Sequence, residues 1–116
     1  MNYIKSKTEL QIGNIVIDLK HTIFEVLEIK GLIAVILFDK ISDGSVKIKD
    51  QPRNNVSMFD ENGKIVWNIR DIIPEDVLYT NIEVSEDSNL KLTDFHGRTY
   101  TIEPVTNNII NRGCTK

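Results

Sequence analysis

Four residues near the end of the chain have side chains that could carry out acid–base chemistry. They are Asp94, His96, Arg98 and Tyr100. Alternate residues of a β-strand point to the same side, so this spacing could bring an acid, a base and a cation together. However, His96-Gly97 is typical of a tight turn, and in a turn the His96 side chain would not share a strand face with the other three residues. We therefore predict that these residues form the polar face of a hairpin, and that the protein is not an enzyme.

The remaining reactive residue types do not form a metal or cofactor signature. His21 and His96 lack the i, i+4 spacing of a zinc helix, and the single Cys114 cannot complete a ligand set with them. The six glycines are scattered singly, and none opens a helix that could hold a phosphate group. We predict no metal, no cofactor and no catalytic residue. Cys114 is expected to be a reduced thiol in a frayed C-terminal tail.

The elements that must position these residues begin with a hairpin over Asn55–Asp71. Apolar and polar residues alternate on both sides of Asp60–Gly63, whose residues favour a reversal of the chain. The single tryptophan, Trp67, lies in the second of these strands. A side chain of that size buries more apolar area than any other, so neighbouring strands are expected to pack around it.

Strand-type alternation recurs along the rest of the chain, with turn residues between the segments. We predict strands at 14–19, 22–30, 32–38, 79–84, 90–95, 99–102 and 109–110. The segment Thr22–Lys30 also fits a helix, because its apolar residues recur at helical spacing. Its β-branched content and the Lys30-Gly31 turn favour a strand. One turn of helix is expected to begin at Pro74, which suits a first helical position.

These elements predict an all-β fold, with one domain over residues 1–116. About eight to ten mostly antiparallel strands would form a meander, folded as a β-sandwich or as a strongly curved sheet or barrel. A chain of 116 residues can bury a sufficient core without a disulfide or a metal. The predicted core residues are Ile17, Val26, Val35, Leu37, Met58, Ile65, Trp67, Ile69, Leu92 and Ile102.

Two features of the sequence predict a cytoplasmic protein. Lys5, Lys7 and Glu9 interrupt the first twelve residues, which therefore lack the apolar region of a signal peptide. The longest apolar run, Leu32–Phe38, is far shorter than the roughly 20 residues of a membrane helix. We expect no membrane association, and the sequence leaves the oligomeric state open.

The charge distribution indicates which class of partner the protein would bind. The net charge is −3, and no stretch interleaves basic residues with aromatic ones, so nucleic acid is not expected as a partner. Between residues 71 and 87 there is no lysine or arginine. The acidic residues of this stretch, which are the predicted partner-binding residues, are Asp71, Glu75, Asp76, Glu83, Glu86 and Asp87. A one-sided patch would steer a basic protein partner, although a solvated surface gives the same pattern.

A longer pattern marks the turns and the tryptophan. It comprises Asn55-Val56, the DxxGKIxWxI string over Asp60–Ile69, and a closing strand that ends at Glu103-Pro104. Over residues 14–110 it resembles a widespread group of small bacterial all-β proteins. Some acidic proteins of this appearance resemble immunity proteins encoded beside bacterial toxins, including those of contact-dependent growth inhibition systems. The resemblance implies an all-β fold and a binding role.

Two functional hypotheses follow. The first is a cytosolic immunity protein whose acidic residues bind and block a co-encoded toxin with a basic face, such as a nuclease. The alternative is a ligand-binding module for a carbohydrate or a short peptide. It would use the Asp39–Asn55 loop, with Tyr79 or Tyr100 as an exposed aromatic platform.

Overall fold

The computed structural model describes residues 3–39 and 47–114. This part of the chain contains eleven strands and two single-turn 3-10 helices, Ile48–Asp50 and Ile69–Asp71, and no α-helix. The strands are β1 (Tyr3–Lys5), β2 (Glu9–Ile12), β3 (Ile15–Asp18), β4 (Ile23–Ile29), β5 (Leu32–Leu37), β6 (Val56–Phe59), β7 (Ile65–Asn68), β8 (Tyr79–Val84), β9 (Leu90–Asp94), β10 (Arg98–Ile102) and β11 (Ile109–Cys114).

The strands form three open antiparallel sheets. The N-terminal sheet has the order β1-β2-β3, the central sheet β4-β5-β6-β7, and the C-terminal sheet β11-β10-β9-β8. One core lies between the central and C-terminal sheets, and a smaller core lies between the central and N-terminal sheets. The predicted all-β antiparallel meander is therefore confirmed, and its sheets stack as a sandwich without closing into a barrel.

Strand β5 is buried on both faces. Ala34 and Ile36 point into the larger core, while Ile33 and Val35 point into the smaller one. A strand covered on both sides needs apolar residues at every position, in contrast to the alternation of a half-exposed strand. This arrangement explains why the longest apolar run of the sequence forms β5.

The helix-like spacing of residues 22–30 results from a β-bulge. Ile23 pairs with Leu37 and Glu25 with Ile36, which leaves Phe24 as an extra residue in β4. The bulge shifts the alternation by one position, so Ile23 and Val26 lie in the same core although they are three residues apart. The strand prediction for this segment is confirmed.

Trp67 is buried as predicted, and its Nε1 donates a hydrogen bond to the Pro104 carbonyl oxygen at 3.3 Å. The prediction that Ile65 shares this core is wrong, because the Ile65 side chain is 58% exposed. Met58 pairs with Trp67 and Phe59 with Ile65, so Val66 is an extra residue between them. Ile65 therefore points to the opposite face of the sheet from Trp67, at the edge strand β7.

The remaining predicted core residues pack largely as expected. Those that are buried are Val26, Val35, Met58, Ile69, Leu92 and Ile102. Ile17 and Leu37 are partly buried against the smaller core.

The predicted helical turn at Pro74 is wrong, because the helical turn lies earlier, at Ile69–Asp71. The Asn68 side chain accepts a hydrogen bond from the Arg70 amide, and the Asp71 carboxylate accepts one from the Asn68 amide. This capping box starts the helix directly after β7.

The structure also differs from the prediction at both ends of the chain. The strands β1 and β2 were not predicted from the sequence. Strand β11 extends to Cys114, which pairs with Arg98 in the sheet, so Cys114 does not lie in a frayed tail. Its side chain is exposed. Of the Asp39–Asn55 loop, residues 40–46 lie outside the described part of the chain.

Candidate functional site

The connections between strands of the central and C-terminal sheets lie at two opposite ends of the sandwich. The turn end consists of the β4–β5, β6–β7, β8–β9 and β10–β11 turns. Lys30 joins three of these turns, since its Nζ donates to the Asn89 side chain at 3.4 Å and to Glu103 at 3.0 Å. The loop end consists of segment 47–55, segment 69–78 and the β9–β10 turn.

Strand β8 separates the six predicted partner-binding residues into two groups. Asp71, Glu75 and Asp76 precede β8 and lie at the loop end. Glu83, near the end of β8, lies at the turn end together with Glu86 and Asp87, which follow the strand. A strand of six residues is about 20 Å long. Residues that are continuous in sequence therefore belong to two separate surfaces.

At the loop end, two of the acidic side chains stabilise the chain itself. The Asp71 carboxylate accepts a hydrogen bond from the Asn68 amide at 3.0 Å. The Asp76 carboxylate lies 3.3 Å from both Asn54 Nδ2 and Arg70 Nη1. Both carboxylates are therefore engaged within the protein, while Glu75 is exposed.

At the turn end, Glu83, Glu86 and Asp87 line an open groove of about 520 Å³ on the outer face of the C-terminal sheet. Threonine and asparagine side chains form much of the rest of this groove. Glu83 lies 3.7 Å from Lys91, and both side chains are substantially exposed. An exposed ion pair of this length contributes little to stability. Glu86 and Asp87 form no ion pair or side-chain hydrogen bond with the described residues.

The turn end contains further acidic residues that sequence analysis did not assign to the site. Its turns and the strand positions beside them carry seven acidic and three basic side chains. The acidic ones are Glu28, Asp60, Glu61, Glu83, Glu86, Asp87 and Glu103, and the basic ones are Lys30, Lys64 and Lys91. The signal that could have found them is the hairpin connectivity, because alternate turns of a meander lie at the same end of a sheet.

The alternating residues at 94–100 form a structural cluster around a buried carboxylate. The Asp94 side chain is 1% exposed and accepts hydrogen bonds from the backbone amides of His96 and Arg98, both at 2.9 Å. It also accepts from Arg98 Nε at 2.7 Å and from the Tyr100 hydroxyl at 3.4 Å. The hydrogen bond and the negative charge of Asp94 raise the pKa of Arg98. As predicted, His96-Gly97 lies in the turn. The prediction that these residues form a polar face is wrong for Asp94 and Tyr100, because both are buried.

Neither tyrosine of the proposed ligand-binding platform is exposed. Tyr79 and Tyr100 point inward from β8 and β10, and their rings meet edge to face at 6.1 Å. Burial, with the charges of Tyr100 and Asp94, raises the pKa of Tyr79. Among the residues that the structure describes, the Tyr79 hydroxyl has no hydrogen-bond partner. The prediction of an aromatic platform at these positions is wrong, because the C-terminal sheet uses both rings to cover the larger core.

Two kinds of feature are absent from residues 3–39 and 47–114. No group of three or more His, Cys, Asp or Glu side chains is placed to hold a metal ion. No helix in these ranges is long and apolar enough to span a membrane.

Comparison with known proteins gives a family for the chain. No curated protein and no solved structure shows a significant match to it. One family model, described as a domain of unknown function, DUF7957, matches residues 1–114. Because this match covers nearly all of the 116 residues, the chain belongs to the DUF7957 family.

Proposed function

We propose that this protein is a non-catalytic, cytoplasmic immunity protein that binds and blocks a co-encoded bacterial toxin through its acidic turn end. The observation that carries the proposal is the groove beside β8. There, Glu86 and Asp87 are exposed and form no ion pair with the described residues. These carboxylates are free to pair with lysines and arginines of a partner.

The charge of the turn end favours a partner with a basic face. An excess of acidic groups attracts such a protein from a distance and raises the association rate, most strongly at low salt. Within the complex, partly desolvated ion pairs would add specificity. A nuclease domain fits this description, because its active site binds phosphate through basic side chains. The carboxylates would occupy that phosphate site and exclude the substrate.

The turn end is held in a fixed arrangement, which favours tight binding because little ordering is required on association. Lys30 joins the β4–β5 turn to the two turns of the C-terminal sheet. Glu103 also accepts hydrogen bonds from the backbone amides of Val105 and Thr106. The Trp67 indole holds the same β10–β11 turn through the Pro104 carbonyl oxygen.

The experiment is to co-express the protein with the product of the adjacent gene and to measure complex formation and toxin activity. The test variant replaces Glu83, Glu86 and Asp87 by lysine. The matched control replaces three exposed acidic residues outside the groove, Glu9, Asp50 and Glu75, by lysine. Association rates are then measured by stopped flow at several salt concentrations.

We expect the groove variant to associate at least about tenfold more slowly at low salt and to lose much of its salt dependence, whereas the control changes little. If a complex forms and the two variants behave alike, the groove is not the docking surface. If the neighbouring product is neither bound nor neutralised, the immunity proposal is wrong.

A further inference from the structure

A cleft of about 300 Å³ lies at the loop end, opposite the acidic groove. It is bounded by segment 47–55, by the residues that lead into β8, and by the β9–β10 turn. Ile48, Leu78 and Phe95 form part of its apolar lining. Phe95 is 51% exposed, so this wall presents an aromatic ring that the protein core does not use. The cleft has the size of a site for a small ligand or for one terminal residue of a peptide.

Two arginines and a histidine lie beside this apolar wall. Arg98 is held in place by the buried Asp94 through its Nε, and the two terminal nitrogens of the guanidinium form no hydrogen bond with the described residues. Arg53 is exposed and pairs with no acidic side chain among the described residues. His96 lines the cleft next to Arg98. A planar guanidinium with free terminal nitrogens matches the geometry of a carboxylate.

Of the acidic residues near the cleft, Asp94 and Asp76 are paired with arginines, whereas Glu75 has no ion pair among the described residues. Asp76 lines it, but its carboxylate already contacts Arg70 and Asn54. Glu75 does not line the cleft, yet its negative charge acts on Arg98. An anionic ligand would therefore find Arg53 and Arg98 as donors and would be weakly repelled by Glu75.

We propose that this cleft binds a carboxylate attached to an apolar body, either a free organic acid or the C-terminal residue of a peptide. The carboxylate pairs with Arg98 and Arg53, and the apolar body packs on Phe95 and Ile48. The observation that favours this chemistry is a combination of two features. The ring of Phe95 is exposed, and the orientation of Arg98 is fixed by its hydrogen bond to the buried Asp94 carboxylate. The inference does not depend on the proposed immunity function, because the cleft and the groove lie at opposite ends of the sandwich.

The first test is a titration of the 116-residue, ¹⁵N-labelled protein with phenylacetate, followed by NMR. Phenylacetamide, which has the same ring without the charge, is the control ligand. We expect phenylacetate to shift the amide signals of residues 95–98 with saturation in the millimolar range, and phenylacetamide to have little effect. If phenylacetate does not shift these signals, or if phenylacetamide shifts them equally, the proposal is wrong.

The source of the carboxylate is distinguished by a second pair of probes, N-acetyl-Gly-Phe with a free carboxylate and its C-terminal amide. Tighter binding of this free acid than of phenylacetate assigns the cleft to peptide C-termini, and equal or weaker binding assigns it to free organic acids. If the peptide amide binds as tightly as the peptide acid, the carboxylate is not the recognised group.

Charge variants test the assignment of residues. Arg53→Gln is expected to weaken phenylacetate binding about tenfold, since it removes a charge-assisted hydrogen bond. Glu75→Gln is expected to tighten binding by about two- to threefold, because it removes a repulsive charge. Lys64→Gln, which removes a positive charge at the turn end, is the matched control and leaves binding unchanged. If Arg53→Gln and Lys64→Gln weaken phenylacetate binding equally, the effect is one of overall charge, and the cleft is not the binding site.

Discussion

The side-chain amide of Asn55 pairs with the backbone of Tyr79 as a neighbouring strand would. Its Oδ1 accepts a hydrogen bond from the Tyr79 amide at 2.9 Å, and its Nδ2 donates to the Tyr79 carbonyl oxygen at 2.8 Å. Nδ2 also donates to the Leu37 carbonyl oxygen at 2.7 Å. One buried side chain therefore connects the central sheet to the first residue of β8 and satisfies the strand edge there.

Asn55→Ala is expected to lower the free energy of unfolding by about 2–4 kcal/mol, since it leaves several buried backbone groups without partners. Urea unfolding measures the change. Asn108→Ala, at an exposed position, is the control and should change stability by less than about 0.5 kcal/mol. Similar stabilities of the two variants would contradict the bridging role of Asn55.

Trp67 and Ile65 lie on the same short strand but should differ strongly in their contribution to stability. Trp67→Ala leaves a cavity in the larger core and should cost about 3–5 kcal/mol. Ile65→Ala removes a largely exposed side chain and should cost less than about 1 kcal/mol. Thermal and urea unfolding of both variants test this difference. If the two variants lose the same free energy of unfolding, the bulge at Val66 does not turn Ile65 away from that core.

Asp94 is expected to act as the structural centre of the β9–β10 turn. Asp94→Ala should destabilise the protein by about 3–5 kcal/mol, because it removes the partner of Arg98 and leaves two turn amides without an acceptor. Asp94→Asn retains an oxygen that can accept from those amides, so it should cost less. The two variants are compared by urea unfolding, and equal costs would indicate that the turn amides contribute nothing.

Glu103 should make stability depend on pH in the acid range. Hydrogen bonds from Thr106, Lys30 and Val105 outweigh the effect of burial and lower the pKa of Glu103 from 4.5 to about 2. A lowered pKa in the folded state means that the stabilisation is fully present above pH 4.5 and is lost as the pH falls towards 2.

Glu103→Gln should therefore flatten the decline of the urea midpoint between pH 6 and pH 3 relative to the unmodified protein. Glu86→Gln, at an exposed carboxylate without a bond to the described residues, is the matched control and should leave the slope almost unchanged. If the urea midpoint of Glu103→Gln falls with pH as steeply as that of the unmodified protein, Glu103 does not have this role.

Local alternation and turn residues in the sequence were sufficient to predict most of the fold. The strands from β3 to β10, the Lys30-Gly31 and His96-Gly97 turns and the burial of Trp67 follow from patterns that span only a few residues. Lys30 and Gly31 both adopt positive φ angles, which is what a tight hairpin turn requires. The strands β1 and β2 gave no comparable signal, because Lys5, Lys7 and Glu9 interrupt the apolar residues of this part of the sequence.

Only the tertiary structure decided which residues share a surface. A β-bulge shifts the alternation by one position without a clear sequence mark, so the exposure of Ile65 required the pairing of β6 with β7. The acidic stretch is continuous in sequence, yet β8 places Asp76 and Glu86 at opposite ends of the sandwich. The cleft brings Arg53 together with Phe95 and Arg98, which lie far from it in the sequence. Sequence patterns report neighbours along one strand, whereas a site is formed by contacts between strands and loops that the packing of the sheets brings together.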